Sequence, residues 1–199
     1  GAASELFQED LNENIFGEYD VFHIEGYLVQ NHDLIHTALK MAKEANMIVS
    51  IDLASFNIVE ENREFLREMI EKYVDITFAN EEEAVAFSET TPEDALDKLS
   101  SLCDIAVVKL GKQGSLIKRG ESLIRVGAKP ANCIDTTGAG DMYAAGFLHG
   151  LTQNYSLDVC GKIGSLVAAN VVEVIGAKVS DNTWSEIYAE IDNILKDEN

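Results

Sequence analysis

Basic residues are scarce. Lysine and arginine together number 15 against 35 aspartates and glutamates, a formal net charge of −20 at neutral pH. A surface with that balance repels phosphate backbones and anionic headgroups, so neither nucleic acid nor a membrane is an expected partner. Cysteine is scarce too. Cys103, Cys133 and Cys160 are odd in number and widely spaced, which gives neither a disulfide framework nor a metal-ligand pattern and leaves reduced thiols as the expectation. No apolar run approaches the roughly 20 residues that span a bilayer. Repeats, low-complexity stretches and linkers are absent. The opening GAASELFQED has neither the basic nor the apolar region of a secretory signal, so a cytoplasmic location is expected. It also lacks an initiator methionine, and the expected origin is processing, trimming or excision from a longer chain.

What the chain does have is the make-up of a folded domain. It is 46% hydrophobic and 25% charged over 199 residues, long enough to bury a core without disulfides. One large domain is expected before two small ones. Short β-rich runs alternate with helical runs. Strands are predicted at 20–25, 47–53, 74–79 and 104–110. Between them, Leu34, Ile35, Ala38, Leu39, Ala42 and Ala45 recur at helical spacing within 31–45, and Phe65, Leu66, Met69 and Ile70 do so within 58–72. NEEEAVAF opens a short helix and PEDALDKLSS another, with Pro92 in its first turn. After a GKQG turn, SLIKR and SLIRVGA broken at Gly120-Glu121 read as a hairpin. A helix rich in small residues then starts near Gly138 and Gly140, and two more are predicted at about 156–175 and 183–196. Alternating strands and helices imply crossover connections and a mainly parallel sheet covered on both faces. Ligands of such sheets bind beyond the carboxyl ends of the strands. That singles out Asp52, Asn80, the stretch from Lys109 to Gly114, and the 135–141 loop.

Three constellations there can carry chemistry. Asp135-Thr136-Thr137-Gly138-Ala139-Gly140-Asp141 runs into a helix. Glycines at a helix start let backbone N–H groups converge on an anion, and the helix dipole favours negative charge there. A carboxylate beside an anion hole makes sense if it accepts a proton from a hydroxyl attacking a phosphate. The bland alternative is a Gly-rich turn with an acid in a first helical turn, where acids are common. Asn80 followed by Glu83 is the second; alone, the spacing favours a helix-capping box. The third is Lys109-Leu110-Gly111-Lys112-Gln113-Gly114, where two glycines let backbone approach a nucleotide and Lys109 can reach phosphate. It reads equally as a tight turn that needs positive φ. His23 and His36 are read as structural, and Glu81 and Glu82 as facing solvent.

DTTGAGD before a small-residue helix resembles the second signature of the PfkB/ribokinase family of carbohydrate and nucleoside kinases. IEGYLV, SIDLAS, FANEEEA, VVKLGKQGS and VIGAKVS agree in order and spacing. GAASELF, IEGYLV and FANEEEA resemble the adenosine-kinase-like branch most. The resemblance implies a doubly wound α/β fold with helices on both faces and an ATP-dependent kinase. In that reading Asp141 is the general base, and Gly138, Ala139 and Gly140 are the anion hole for the transferring phosphoryl group. Asn80 and Glu83 match the family's Asn-x-x-Glu motif, which organises Mg2+ and its waters. Lys109, Gly111 and Gly114 fall at the nucleotide. Ser165 and Ala168 match the wall of the adenine pocket, although adenosine kinases often carry a larger residue than Ser165. Asp135, Thr137, Gly176 and Ser180 fall where some members bind a monovalent cation such as K+.

The resemblance also implies a longer N-terminal half with the first strands, a lid and the segment that grips the acceptor. Gly1-Ala2-Ala3 resembles a point in the middle of the family chain, so a fragment of a larger kinase, inactive by itself, is expected. The expected acceptor is a sugar or nucleoside, adenosine first, with ribose or fructose as alternatives. A homodimer of the full-length protein is expected from the family. A non-catalytic nucleotide-binding piece is the competing reading. A dehydrogenase fits the alternation but not the late position of GAGD.

Overall fold

A computed structural model describes residues 5–197; the Gly1-Ala2-Ala3 match lies outside the described residues. Six strands follow one another in sequence order across one sheet: β1 (Val21–Glu25), β2 (Ile48–Asp52), β3 (Ile76–Asn80), β4 (Ile105–Lys109), β5 (Ser115–Arg119) and β6 (Ser122–Val126). Two compact units divide the chain. One runs to Val108 and includes Lys118–Ser122; the other comprises Lys109–Ile117 and the chain from Leu123 onward.

In the first unit, β1 pairs parallel with β2 from Val21↔Ile48 to Glu25↔Asp52, and β2 pairs parallel with β3 from Ser50↔Ile76 to Asp52↔Phe78. Parallel neighbours need crossovers, supplied by α2 (His32–Glu44) and α3 (Phe56–Tyr73); α4 (Glu81–Ser88) and α5 (Pro92–Ser100) follow β3. Each helix starts where a polar side chain caps it. Asn31 Oδ1 accepts from Leu34 N–H at 3.2 Å and Thr91 Oγ1 from Asp94 N–H at 3.2 Å, with Pro92 at the first helical position. The apolar stripe of α2 is buried as its spacing predicts, through Leu34, Ile35, Ala38, Leu39 and Ala42. Successive residues of β2, β3 and β4 are buried. Because side chains alternate between faces, both faces of these strands are covered. The short α1 (Glu13–Phe16) and the 3-10 turn Gly26–Gln30 have too little periodicity to be read from sequence.

The hairpin of β5 and β6 turns at Gly120-Glu121 as predicted, with Gly120 at φ 56°. It makes the sheet mixed. The second unit continues with α6 (Ala139–Thr152), α7 (Leu157–Val171) and α8 (Asp181–Asp197). Helix α7 ends sooner than its apolar pattern suggests. The small residues of α6 have a packing purpose: a Cβ on Gly146 would lie 3.0 Å from Gly164 Cα, so the α6 and α7 backbones approach closely. On its other side α7 packs Val159, Ile163, Leu166 and Val167 against Ile187 and Ile191 of α8. No described helix is long and apolar enough to cross a membrane.

All three thiols are free. Burial pushes the Cys103 and Cys160 thiols up to about 11, so both are protonated and inert at neutral pH. Cys133 is exposed. Two of the four histidines, those read as structural, have polar partners: His23 Nδ1 lies 2.7 Å from Ser50 Oγ, and His36 Nε2 lies 3.2 Å from the Tyr73 hydroxyl.

Candidate active site

The start of α6 departs from that of every other described α-helix. Of the eight α-helices among the described residues, seven have a side-chain cap, from Asn12, Asn31, Ser55, Asn80, Thr91, Ser156 and Ser180. Helix α6 has none: its N-cap is Gly138, at φ 77° and ψ 3°. Only glycine takes that left-handed conformation without strain. A Cβ there would also lie 2.5 Å from the Ala177 Cβ. Ala139 N–H donates to Thr136 O at 3.1 Å, so one of the three amides expected in the anion hole already has a backbone acceptor. Asp141 stands at the third helical position and is exposed.

The loop before it is held by a carboxylate. Asp135 Oδ1 accepts from Thr137 N–H at 2.9 Å and from its hydroxyl at 2.7 Å, while Oδ2 accepts from Gly176 N–H at 2.8 Å. The Gly176 N–H, and after it the Thr137 donors, hold the Asp135 carboxyl below its ordinary range. Ile134 and Asp135 N–H both donate to Val172 O, at 2.7 and 3.2 Å. Asp135 thus ties DTTGAGD to the VIGA segment. Three of the four residues implied for a monovalent cation, Asp135, Thr137 and Gly176, come together here. The fourth, Ser180, is the N-cap of α8 and accepts from Thr183 N–H at 3.2 Å.

The Lys109 to Gly114 stretch is a closed turn. Leu110 N–H donates to Gly114 O at 2.7 Å and Gly114 N–H to Gly111 O at 3.0 Å. Gly111 and Gly114 have φ 51° and 93°, and a Cβ on Gly114 would overlap Val126 O at 1.9 Å. Both glycines answer the turn's own demands. Lys109 is half-buried at the end of β4. Ser165 Oγ accepts from Lys129 N–H at 2.9 Å and donates to Gly127 O at 3.3 Å. It lines a cavity of about 300 Å³ with Gly127, Lys129, Lys162, Glu190 and Ile194. Lys129 pairs with Glu190 there, a partnership across 61 residues that no local pattern announces. Ala168 is one helical position beyond Val167 on α7 and half-exposed.

In the first unit, Asn80 and Glu83 form a reciprocal capping box. Asn80 Oδ1 accepts from Glu83 N–H at 2.9 Å; Glu83 Oε2 accepts from Asn80 N–H at 2.8 Å and Oε1 from Asn80 Nδ2 at 2.6 Å. Glu83 is only 3% exposed, whereas Glu81 and Glu82 face solvent as expected. Both Glu83 oxygens are engaged, but a carboxylate has about four acceptor sites. One carboxylate and one amide suit Mg2+ only through its water shell. Among the described residues no group of three or more His, Cys, Asp or Glu side chains could hold a metal ion alone.

Two polar residues escape a reading of motifs. Ser115 Oγ and the Tyr143 hydroxyl lie 2.6 Å apart, both buried. The only sequence signal is a tyrosine among the small residues of α6.

Over residues 1–184 the sequence matches the family described as pfkB family carbohydrate kinase. The chain belongs to that family. Among pfkB-related proteins, a nucleoside kinase of Methanocaldococcus jannaschii is 33% identical over 172 residues, covering 81% of this chain and 56% of the relative. An ATP-dependent 6-phosphofructokinase of Thermoanaerobacterium thermosaccharolyticum is 29% identical over 185 residues, covering 79% and 57%. The solved adenosine kinase of Sinorhizobium meliloti superposes with a TM-score of 0.88 at 35% identity, over 94% of this chain and 59% of that one. The chain spans a little over half the length of each of these three proteins. Its sheet and helices have the ribokinase-like α/β arrangement.

Proposed function

We propose that the protein containing this chain transfers the terminal phosphoryl group of ATP to a primary hydroxyl of a sugar or nucleoside, adenosine at its 5′-hydroxyl first. One observation carries this reading. The exposed carboxylate of Asp141 stands at the third position of a helix whose glycine cap supplies no side chain, on a loop that Asp135 fixes. Helix starts favour anions, and every other described α-helix covers its start with a side chain.

In this mechanism Asp141 accepts the proton of the attacking hydroxyl as the oxygen–phosphorus bond forms and ADP leaves. The amides at the start of α6, with the helix dipole behind them, stabilise charge on the transferring group, the largest contribution in phosphoryl transfer. Asp135 sets the loop so that these groups need no reorganisation. The Gly111–Gly114 turn and the Ser165 cavity hold the nucleotide. Asn80 and Glu83 are the residues that would hold Mg2+ through its water shell, and the ion would supply charge neutralisation at the phosphates. K+ would sit beside Asp135, Thr137 and Gly176, where it would stiffen the same loop.

Adenosine is favoured by the relatedness to a nucleoside kinase and to an adenosine kinase. The relatedness to a 6-phosphofructokinase supports a sugar acceptor as the second reading. The test is coupled ADP release by the full-length protein with adenosine, ribose, fructose and fructose 6-phosphate, beside a thermal-shift panel of ATP, ADP and NAD(H) with Mg2+. Turnover with one acceptor and a melting point raised by ATP or ADP is expected. Stabilisation by NAD(H) alone, without turnover, would overturn the kinase reading.

A further inference from the structure

The reading above leaves the buried Ser115–Tyr143 pair without a role. We propose that this hydrogen bond is a positioning device that sets the roll of α6, and with it the aim of Asp141, against the Gly111–Gly114 turn. It rests on the kinase reading.

The hydroxyls are 2.6 Å apart, and their residues are 0% and 6% exposed. A buried hydroxyl left unpaired is unfavourable, so each holds the other in one geometry. Burial keeps the Tyr143 phenol well above its ordinary range, a neutral hydroxyl at all working pH values. Both ends of the link are fixed. Ser115 directly follows Gly114, whose turn lies so close to Val126 O that no Cβ fits. The Tyr143 ring crosses α7 at Gly164, where a Cβ would lie 3.2 Å from ring atoms Cε2 and Cζ and 2.8 Å from Tyr143 O. Packing explains an aromatic ring at this position; it does not explain the hydroxyl.

The link acts on Asp141 through helix geometry. At 3.6 residues per turn, residues two apart point about 200° from one another around the axis. Tyr143 anchored on the buried side therefore fixes Asp141 on the exposed side. Without the anchor α6 can roll, and about 10° of roll carries a side chain ~6 Å from the axis through about 1 Å. That moves Asp141 relative to the nucleotide turn and leaves the turn, closed by its own backbone bonds, as it was.

The experiment uses the full-length protein with its best acceptor, comparing Tyr143→Phe, Ser115→Ala and the double variant. Misplacement of a reacting group by about 1 Å can reduce rate 10²-fold, so each single change should lower kcat by roughly ten- to a hundredfold. KM for ATP should stay unchanged, and the double variant should be no slower than the slower single. In ligand-free protein, amide exchange across 138–142 should quicken in all three. Val159→Ala, in the α7–α8 cluster, is the control: it lowers the melting point and leaves kcat as it was. If Tyr143→Phe fails to fold, Ser115→Ala, the smaller change, carries the test. Unchanged kcat and exchange, or a kcat loss that Val159→Ala reproduces, would overturn the proposal. Absence of turnover by the wild-type protein with every acceptor would overturn the kinase reading itself, and wild-type turnover in Asp141→Asn would overturn the base role; loss of turnover in Asp141→Asn beside an intact Tyr143→Phe overturns the positioning role alone.

Discussion

Helices α4 and α6 both carry an acid at their third position, and they use it in opposite ways. In α4, Glu83 folds back on Asn80, both its oxygens accept N–H groups of the cap residue, and it is buried. In α6 the cap is Gly138, which offers no side chain, and Asp141 stays exposed. The first arrangement uses the acid to cap its own helix; in the second the cap residue offers no side chain and the acid lies on the exposed side. If Asp141 is the base proposed above, the residue type at the cap, asparagine or glycine, separates a structural acid from a chemical one more sharply than the acid itself does.

The largest way to break this contrast is Asp141→Asn. General-base catalysis contributes about 10²- to 10⁴-fold, and kcat of the full-length protein should fall by that order. ATP affinity by calorimetry should hardly change, and the folded state should lose no more than about 0.3–1 kcal/mol through the helix dipole. Undiminished turnover would make the two acids alike.

Gly138→Ala comes next. The left-handed backbone and the clash with Ala177 should together cost about 1–3 kcal/mol. That is a drop of several degrees in melting point, since about 1 kcal/mol shifts a chain of this size by 2–4 °C. Turnover should fall with it. A variant as stable and as active as the parent would show that the glycine cap is dispensable.

Glu83→Gln sharpens the other side. Glutamine also serves in capping boxes, so from sequence the change looks neutral. In the structure both carboxylate oxygens accept, and an amide would turn its NH2 toward one of those donors. A loss of about 1–3 kcal/mol is expected for the mismatched buried group, read as a lower melting point. A Mg2+ titration of turnover separates any metal role: loss of stability with unchanged Mg2+ dependence leaves Glu83 a cap only.

The smallest effect is in acid. Asp135 is held below its ordinary carboxyl range by Gly176 and Thr137. A depressed native value stabilises the folded loop above the unfolded value of about 3.9. The contribution disappears as pH falls through the native value. Thr137 and Gly176 amide resonances should therefore titrate with a midpoint below about 3.9; a midpoint at or above it would remove the clamp.

Most of the fold was legible because its signals are local. Apolar spacing in 31–45, the Gly120-Glu121 turn and Pro92 each act within a few residues, and α2, the β5–β6 hairpin and α5 appear where they point. Short elements such as α1 and the Gly26–Gln30 turn have fewer residues than one period needs. Of the candidate site residues, the glycine-led helix start at Gly138–Asp141 and the capping box of Asn80 and Glu83 were legible for the same reason. What could not be read is contact between distant residues: Asp135 with Gly176, Lys129 with Glu190, Ser115 with Tyr143. The burial of Glu83 also depends on packing around α4, which its own acidic sequence gives no reason to expect.

The accessibility of the three thiols has a practical consequence. Cys133 lies on the surface between Asn132, whose N–H donates to Glu173 Oε1 at 2.6 Å, and Ile134, whose N–H donates to Val172 O at 2.7 Å. Desolvation keeps the other two thiols protonated. The unaltered sequence thus already contains one chemically addressable handle, on a tethered backbone two residues before Asp135. A maleimide fluorophore or spin label there would serve as a reporter on the Asp135–Asp141 loop, with no cysteine to introduce into this chain.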